Sequence, residues 1–272
     1  MTSNAQAGPS DAEIASVPWY HTIRLPDGRL TPGYFDVQAV ADRSGLPDSL
    51  EGKRCLDVGT CDGFWAFEME RRGAAEVVGI DLDDTTRRDW PARVPLDARG
   101  GDSGRSQKTF AMISAALGSS VERVDMSVYD LSPERLGSFD FVFMGNLLLH
   151  LRDPVRALEA VRTVTGDRFL SLDSFNPTLS LLRPRTSVAR LDGSGYSIWW
   201  TVNLAGRRRI VEIAGFDVID SGRPYLLRFG PGHTPGPPRL PRRIGGLRQE
   251  LSRQVLGRLG SANSWLLCRP AL

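Results

Sequence analysis

A short apolar run that ends at a glycine constrains the fold of this chain most strongly. The run Arg54–Val58 is followed at once by Gly59 and Gly63, and then by apolar residues at helical spacing over residues 64–72. The order of strand, tight turn and helix is typical of a buried parallel strand that leads into a helix packed on its own sheet. Gly73 follows this helix, and glycine is a common helix terminator.

The same alternation of strands and helices continues along the chain. Further strands are predicted at residues 77–80, 121–124, 139–144, 168–172, 216–219 and 264–268, helices at 34–41, 110–117, 153–162 and 207–214, and a mobile loop at 97–108. Strands that alternate with helices form a parallel sheet that is covered on both faces. We therefore predict an α/β fold of the Rossmann-like, doubly wound type, with a mostly parallel sheet of seven strands and helices on both faces.

The chain divides into an N-terminal segment and cap at residues 1–50 and a main domain at residues 51–272. A basic insertion at about 222–262 interrupts the main domain, although the net charge of the whole chain is only +2. Within this insertion, residues 246–260 have the pattern of an amphipathic basic helix. Such a helix can pack on its own domain, close over a substrate, contact a phosphate backbone, or bind a membrane surface or a second subunit.

Composition favours a soluble, cytoplasmic protein. The three cysteines, Cys55, Cys61 and Cys268, form no CxxC pair and no disulfide framework. The first residues lack the basic start and apolar block of a secretory signal. The longest apolar run, residues 141–151, is far below the roughly 20 residues that a membrane-spanning helix requires.

Two acidic residues follow two successive predicted strands. Asp57 lies beside the first turn, and Asp81 comes 24 residues later at the end of the next strand. A carboxylate at the first turn disfavours phosphate and favours an amine, while a carboxylate after the second strand can accept both ribose hydroxyls. A ligand with an amine and a ribose but no phosphate fits S-adenosylmethionine (SAM). The alternatives are a nucleotide-binding Rossmann enzyme or a ligand-free strand–turn–helix unit, although Cys61 and Phe64 interrupt the Gly-x-Gly-x-x-Gly pattern.

Several stretches of the chain resemble known motifs. Residues 56–63, 78–81 and 138–145 look like the motifs of class I SAM-dependent methyltransferases. Residues 144–154, with the sequence MGNLLLHLRDP, are similar to the segment after the fourth strand in the tRNA wobble-uridine carboxymethyltransferase-like family. The likeness extends from about residue 19 to residue 230.

The resemblance implies a set of cofactor contacts. The methionine part of SAM would be surrounded by Asp57, Gly59, Thr60, Cys61 and Gly63, the ribose and adenine by Asp81, Leu82, Val128 and Tyr129, and the sulfonium by Met144 and Gly145. Members of that family that use carboxy-SAM hold its extra carboxylate with a lysine, a tyrosine and a late arginine, and no counterpart of the arginine is identified in this chain. This chain has His21 at the lysine position and Leu148 or Leu149 at the tyrosine position, which favours plain SAM and simple methyl transfer.

Two histidines are candidates for a general base. His150 follows the fourth strand on the cofactor side of the sheet, and His21 lies in an aromatic N-terminal segment. Either can take a proton near neutral pH. The alternatives are that His150 contacts backbone at a helix start and that His21 is packed at the surface. His233, in a Gly/Pro tract, is expected to be inert.

The acceptor pocket is predicted from aromatic and polar residues near the ends of the strands. The candidates are Tyr20, Asn146, Asp173, Tyr196, Trp199 and Trp200. Aromatic side chains can stack on a planar substrate, although the tryptophan pair could equally pack a helix onto the sheet. Asp173 with Asn146 and Asn176 makes a poor divalent-cation site, so no catalytic metal is expected.

These patterns together favour a SAM-dependent methyltransferase. Its acceptor would be an oxygen or nitrogen atom of a small molecule, in secondary metabolism. The alternatives are a tRNA wobble-uridine methyltransferase, which the family likeness and the basic C-terminal segment suggest, and a non-catalytic SAM-binding partner subunit. The sequence leaves the oligomeric state open.

Overall fold

The computed structural model describes residues 8–191, 198–234 and 259–271. The strands are β1 Trp19–His21, β2 Gly33–Phe35, β3 Arg54–Val58, β4 Glu76–Asp81, β5 Glu122–Asp125, β6 Phe139–Gly145, β7 Thr165–Ser174, β8 Ala189–Leu191, β9 Trp200–Val202, β10 Phe216–Ser221, β11 Tyr225–Arg228 and β12 Gly260–Pro270. The α-helices are α1 Asp11–Ala15, α2 Phe64–Arg71, α3 Arg105–Leu117, α4 Pro133–Leu136, α5 Pro154–Val164, α6 Pro177–Leu182 and α7 Leu204–Ile213.

The main sheet has seven strands in the continuous order β10-β12-β7-β6-β3-β4-β5, and β11 also pairs with β12. The strands from β7 to β5 are parallel, whereas β12 runs antiparallel to β7, β10 and β11. The predicted mostly parallel, doubly wound sheet is therefore confirmed, with β11 as an additional short strand. The small pairs β1–β2 and β8–β9 lie outside it.

Two apolar clusters show that helices cover both faces of the sheet. The first cluster joins α2 and α3 to the sheet and to the N-terminal segment, and includes Trp19, Phe67 and Ile113. The second joins α5 and α7 to the opposite face, and includes Leu158 and Val211. Burial of apolar area on both faces is the main stabilising contribution to such a layered fold.

Helix starts follow the chemistry that the sequence suggests. Gly63 precedes α2 with a φ of 91°, in the left-handed region that favours glycine. Asp153 caps α5 by accepting a hydrogen bond from the backbone N–H of Arg156, and Pro154 occupies the first turn. Because β3 and β6 are parallel, the loops that follow them lie at the same edge of the sheet.

The structure corrects two local predictions. The predicted helix at 34–41 is wrong at its start, because Gly33–Phe35 is a strand that pairs in parallel with β1, and a 3₁₀ turn follows at Gln38–Arg43. A Cβ at Gly33 would stand 2.1 Å from the backbone nitrogen of Thr22, so this close approach of two chain segments requires glycine. The predicted loop at 97–108 is also too long, since α3 begins at Arg105.

The N-terminal segment is joined to the chain after β11. Phe35 forms an isolated antiparallel bridge with Phe229, and the backbone N–H groups of Gly230 and Gly232 donate to carbonyls of Tyr34 and Gly33. The predicted basic insertion at about 222–262 includes the strand β11, Tyr225–Arg228, near its start. The predicted amphipathic helix at 246–260 lies almost wholly outside the described residues. In the described parts of the chain, no helix is both long and apolar enough to cross a bilayer.

Candidate functional site

A cavity with both polar and apolar walls opens at the carboxyl ends of the parallel strands. Strand order reverses between β3, which leads to β4 and β5, and β6, which leads to β7. Ligands of open α/β sheets bind at this kind of switch point. The cavity has a volume of about 180 Å³ and is walled by the loops after β3, β4, β5 and β6, together with Tyr20 from β1.

Asp81 provides the acidic group of this cavity. Its Oδ2 accepts a hydrogen bond of 2.8 Å from the backbone N–H of Cys61, and its Oδ1 accepts one of 2.7 Å from Leu82. Burial raises the pKa of Asp81, and the nearby Arg88 opposes that rise. Each carboxylate oxygen retains acceptor capacity, which is what a ribose diol requires.

Apolar side chains form a flat part of the same cavity. They are Leu82 and Val128 after β4 and β5, and Leu147 and Leu151 after β6. A Cβ at Gly59 would approach Leu147 to 3.3 Å, so the glycine keeps the turn close to this wall. These apolar surfaces lie in the same cavity as the carboxylate of Asp81.

His21 and Asp62 form a buried polar pair above the loop that follows β3. The Nδ1 atom of His21 contacts Oδ1 of Asp62, and Oδ2 of Asp62 accepts the backbone N–H groups of Tyr20 and His21 at 2.9 and 2.8 Å. Burial alone would raise the pKa of Asp62, but His21 and these donors outweigh it and lower the pKa. The Nε2 atom of His21 has no hydrogen-bond partner among the residues that the structure describes.

A second, smaller cavity adjoins the first. The two share Tyr20, Gly145 and Asn146, and the second is also walled by His21 and by aromatic and aliphatic side chains, including Phe35, Trp65, Leu172 and Tyr225. Asn146 has a φ of 50°, a strained conformation for a residue other than glycine. The hydroxyl of Tyr225 is buried without a partner among the described residues. Polar groups thus face a mostly apolar space next to the cofactor cavity.

Asp173 lies near the carboxyl end of β7 and does not line either of the first two cavities. It is 2% exposed, its Oδ2 accepts a hydrogen bond of 3.3 Å from Ser171, and its Oδ1 has no partner in the described residues. Burial raises its pKa to about 7, although Arg207, also buried, opposes the rise. Asp173, Arg207 and Trp200 line a third small cavity, separate from the first two.

The structure brings most of the predicted cofactor residues together. Gly59, Cys61, Asp81, Leu82, Val128, Tyr129 and Gly145 line the first cavity. The other four, Asp57, Thr60, Gly63 and Met144, are buried behind this wall. Burial raises the pKa of Asp57 to about 7, and the neighbouring Thr60 and His21 oppose the rise. Asp57 therefore shapes the loop from behind.

The predicted catalytic and substrate residues are distributed over all three cavities. His150 lines the first cavity, His21 the second, and Tyr20 and Asn146 both. Trp199 donates its indole N–H to the carbonyl of Asp89 at 2.7 Å, and Trp200 donates to that of Arg152 at 3.4 Å. The tryptophan pair thus connects the start of β9 to two loops, and these two bonds do not join a helix to the sheet. Tyr196 lies outside the described residues.

Sequence reasoning missed several residues of these cavities. Arg88 and Arg105 line the cofactor cavity, Tyr225 and Trp65 line the second, and Asp62 orients His21. The contact between His21 and Asp62 spans 41 residues of sequence. Asp62 lies inside the conspicuous loop, but only the folded arrangement reveals its partner. Among the described residues, no group of three His, Cys, Asp or Glu side chains converges as a metal site would require.

Comparison with known proteins identifies the family that this chain resembles. Residues 56–167 match a family described as a methyltransferase domain. A ubiquinone biosynthesis O-methyltransferase of Neisseria meningitidis serogroup C (strain 053442) is 31% identical over 180 residues, 63% of this chain and 67% of that protein. A magnesium-protoporphyrin O-methyltransferase of Rhodobacter capsulatus is 30% identical over 172 residues, 63% of this chain and 61% of that protein. The matches span from about half to two thirds of the curated relatives' lengths.

A solved structure supports the same architecture. The N-terminal domain of EvdMO1, determined with S-adenosylhomocysteine and D-fucose, superposes with a TM-score of 0.55 at 16% identity and covers 93% of this chain and 91% of that one. At this level of identity the likeness concerns the fold.

Proposed function

Because this chain belongs to the class I SAM-dependent methyltransferases and its cofactor is SAM, we propose that it transfers the methyl group to a hydroxyl oxygen of a small, planar acceptor. The observation that carries the proposal is the second cavity, which shares Tyr20, Gly145 and Asn146 with the cofactor cavity and contains His21 oriented by Asp62.

The residues of the first cavity fit the cofactor. Asp81 would hold the ribose hydroxyls, Leu82 and Val128 would contact the adenine, and Gly145 and Asn146 would border the methyl end. When bound, SAM supplies an electrophilic methyl carbon whose bond to sulfur breaks as the acceptor oxygen bonds to it. The protein then contributes orientation and exclusion of water.

His21 is the group that we propose as general base. A neutral hydroxyl must lose its proton as the new bond forms, and an imidazole with an unpaired nitrogen can take it. Contact between Nδ1 and the carboxylate of Asp62 favours the tautomer in which Nε2 accepts. We therefore favour oxygen as the methylated atom.

The walls of the second cavity indicate the shape of the acceptor. Tyr20, Phe35, Trp65 and Tyr225 are aromatic, and planar molecules stack on such surfaces. The cavity has a volume of only about 10 Å³ in this conformation, so binding requires its walls to move apart. We propose that β1 and β2, which carry Tyr20, His21 and Phe35, move outward. The O-methyltransferase relatives support a metabolite acceptor.

The proposal is tested by incubating the protein with SAM that carries a deuterated methyl group. Hydroxylated aromatic compounds, aromatic amines and unmodified tRNA are offered in parallel, and mass spectrometry detects S-adenosylhomocysteine and the labelled product. We expect label on a hydroxyl oxygen of an aromatic compound. Label on nitrogen or on tRNA, or SAM binding without any transfer, would each contradict the proposal.

The role of His21 is tested by His21→Gln, with His150→Gln as the comparison. We expect His21→Gln to lower kcat by about 10²- to 10⁴-fold, the usual contribution of a general base, with SAM affinity retained. A large loss of kcat in His150→Gln together with normal turnover in His21→Gln would move the base to His150.

A further inference from the structure

One side chain of the second cavity carries a polar group that the proposed function does not use. Tyr225 lies on β11 and lines this cavity, and its hydroxyl is buried without a hydrogen-bond partner among the described residues. The proposed function involves only its aromatic ring. A buried hydroxyl without a partner is costly, so a ligand that offers it a hydrogen bond gains affinity.

Sheet pairing holds Tyr225 at a different part of the cavity wall from His21. β11 pairs with β12 over four residues, with Tyr225 opposite Asn263, and β12 in turn pairs with β7. His21 belongs to β1, which pairs with β2 outside the main sheet. An acceptor in this cavity therefore meets the two polar side chains on separate elements.

The charges around Tyr225 favour an electron-rich atom beside its hydroxyl. Burial raises the pKa of Tyr225, so the hydroxyl keeps its proton and can donate it in a hydrogen bond. Arg207 and Arg43 oppose the rise, whereas Asp173 adds to it. The charges that act on the hydroxyl from the described part of the chain are thus two guanidinium groups and one carboxylate. This balance disfavours an amine and favours an oxygen that accepts a hydrogen bond.

We propose that Tyr225 selects the acceptor by donating a hydrogen bond to a second oxygen substituent, and that the preferred substrates are phenols that carry a carbonyl group. The oxygen that is methylated gives its proton to His21 and needs a lone pair for the methyl carbon. A hydrogen bond donated by Tyr225 to that same oxygen would make it a weaker nucleophile. A carbonyl oxygen has no proton of its own and lies in the plane of the ring. The inference rests on the proposed function, since it assigns a substrate class to the same cavity.

The test uses pairs of acceptors that differ only at the second oxygen. Hydroxyacetophenones with the carbonyl ortho, meta or para to the hydroxyl are compared with the corresponding ethylphenols, in which a methylene group replaces the carbonyl. The ratio kcat/KM is measured with SAM, and acceptor affinity by calorimetry with S-adenosylhomocysteine bound.

We expect the wild-type protein to prefer the hydroxyacetophenone in at least one pair, and Tyr225→Phe to reduce that preference by about tenfold in kcat/KM and in affinity, the range of one buried hydrogen bond. The ethylphenols should be affected little, because they leave the hydroxyl of Tyr225 without a partner in the wild-type protein as well. The carbonyl also makes the phenol more acidic, but this intrinsic effect is the same for both proteins and cancels in the comparison.

Tyr34→Phe is the matched control, since Tyr34 lies on β2, is 39% exposed and does not line the cavity, and its replacement removes the same hydroxyl. It should leave the preference unchanged, and thermal melting shows whether each variant is folded. An equal loss for both members of a pair in Tyr225→Phe would place its hydroxyl at the reacting oxygen, and an unchanged preference would show that it contacts no acceptor. Either result overturns the assignment and leaves the methylation of oxygen intact. If the wild-type protein neither binds nor methylates any of these phenols, the proposed function falls together with the assignment.

Discussion

Two carboxyl groups are buried near the site with little to stabilise their charge. Asp57 and Asp173 are 1% and 2% exposed, and each has one oxygen without a partner among the described residues. Burial raises the pKa of each to about 7. Removing a carboxylate from water costs free energy, and a protonated acid avoids most of that cost.

The stability of the protein should therefore fall as pH rises through neutrality. Between about pH 4 and pH 7 the folded state keeps protons on Asp57 and Asp173 that the unfolded chain has lost. This contribution to stability is full below the unfolded pKa, declines as pH rises to about 7, and is lost above it. The loss should amount to a few kcal/mol for the pair. Urea unfolding at pH 5.5, 6.5, 7.5 and 8.5 measures it.

Substitution separates these two groups from other titrating residues. Asp57→Asn and Asp173→Asn should each flatten the decline, whereas Asp48→Asn, at a fully exposed side chain, should leave it unchanged. A stability that stays flat between pH 5.5 and pH 7.5 in the wild-type protein would show that both acids are ionised in the folded state.

At the level of single residues, sequence predicts a role where the signal is local. Asp81 is the last residue of β4, and its side chain lies on the wall of the first cavity. Asp57 has the same kind of position, but its side chain is behind the loop. Because strand side chains alternate between faces, a shift of one position decides between cavity and interior, and sequence alone does not resolve it.

At the scale of the elements, the start of α2 requires a glycine at the position before it. Gly63 has a φ of 91°, and a Cβ there would stand 2.4 Å from the ring of Phe67 and 2.7 Å from that of Phe110. We expect Gly63→Ala to lower the free energy of unfolding by about 3 kcal/mol, from backbone strain and overpacking together. Urea unfolding provides the measurement.

Gly118 after α3 is the control for the strain alone. Its φ is 61°, and an added Cβ would meet nothing within 4 Å in the described structure. Gly118→Ala should cost only about 1 kcal/mol. Similar losses in the two variants would mean that the rings of Phe67 and Phe110 move aside without cost.

Residues 229–233, here called the strap, hold the N-terminal strands over the second cavity. The ring of Phe229 stacks on Phe35 at 5.4 Å and on His233 at 3.7 Å, and Gly230 donates to the carbonyl of Tyr34 at 2.8 Å. These contacts join parts of the chain about 200 residues apart, so no local pattern predicts them. The predicted helix at 34–41 failed for the same reason, since β2 exists through its pairing with β1.

Weakening the strap should loosen β1 and β2 without opening the cofactor cavity. We expect Phe229→Ala to increase amide exchange of residues 19–35 by about tenfold or more, as loss of roughly 1.4 kcal/mol of local contacts implies. Affinity for S-adenosylhomocysteine should change little. Peptides from β6 serve as the internal control, and unchanged exchange in residues 19–35 would show that other contacts hold these strands.

At the scale of the whole molecule, the regular alternation of strands and helices was enough to predict the sheet. Buried runs such as Arg54–Val58 and Phe139–Gly145 carry their own signals, and the handedness of parallel crossovers limits how they can be arranged. The predicted boundary at residue 50, between the N-terminal segment and the main domain, depends on packing that no local pattern shows. Ile14, Trp19 and Ile23 pack in the same apolar cluster as α2, so the N-terminal segment shares a core with the sheet.

A shared core implies cooperative unfolding of the N-terminal segment with the sheet. We expect calorimetry of the full chain to show one transition, and a chain that begins at Asp36 to melt at least about 10 °C lower, because removing Ile14, Trp19, Ile23 and Leu25 exposes apolar surface on α2. A chain that begins at Pro9 keeps these contacts and should melt like the full chain. Two separate transitions, or an unchanged melting temperature in the chain from Asp36, would show that residues 9–35 form an independent cap, and outward movement of β1 and β2 would then cost the core nothing.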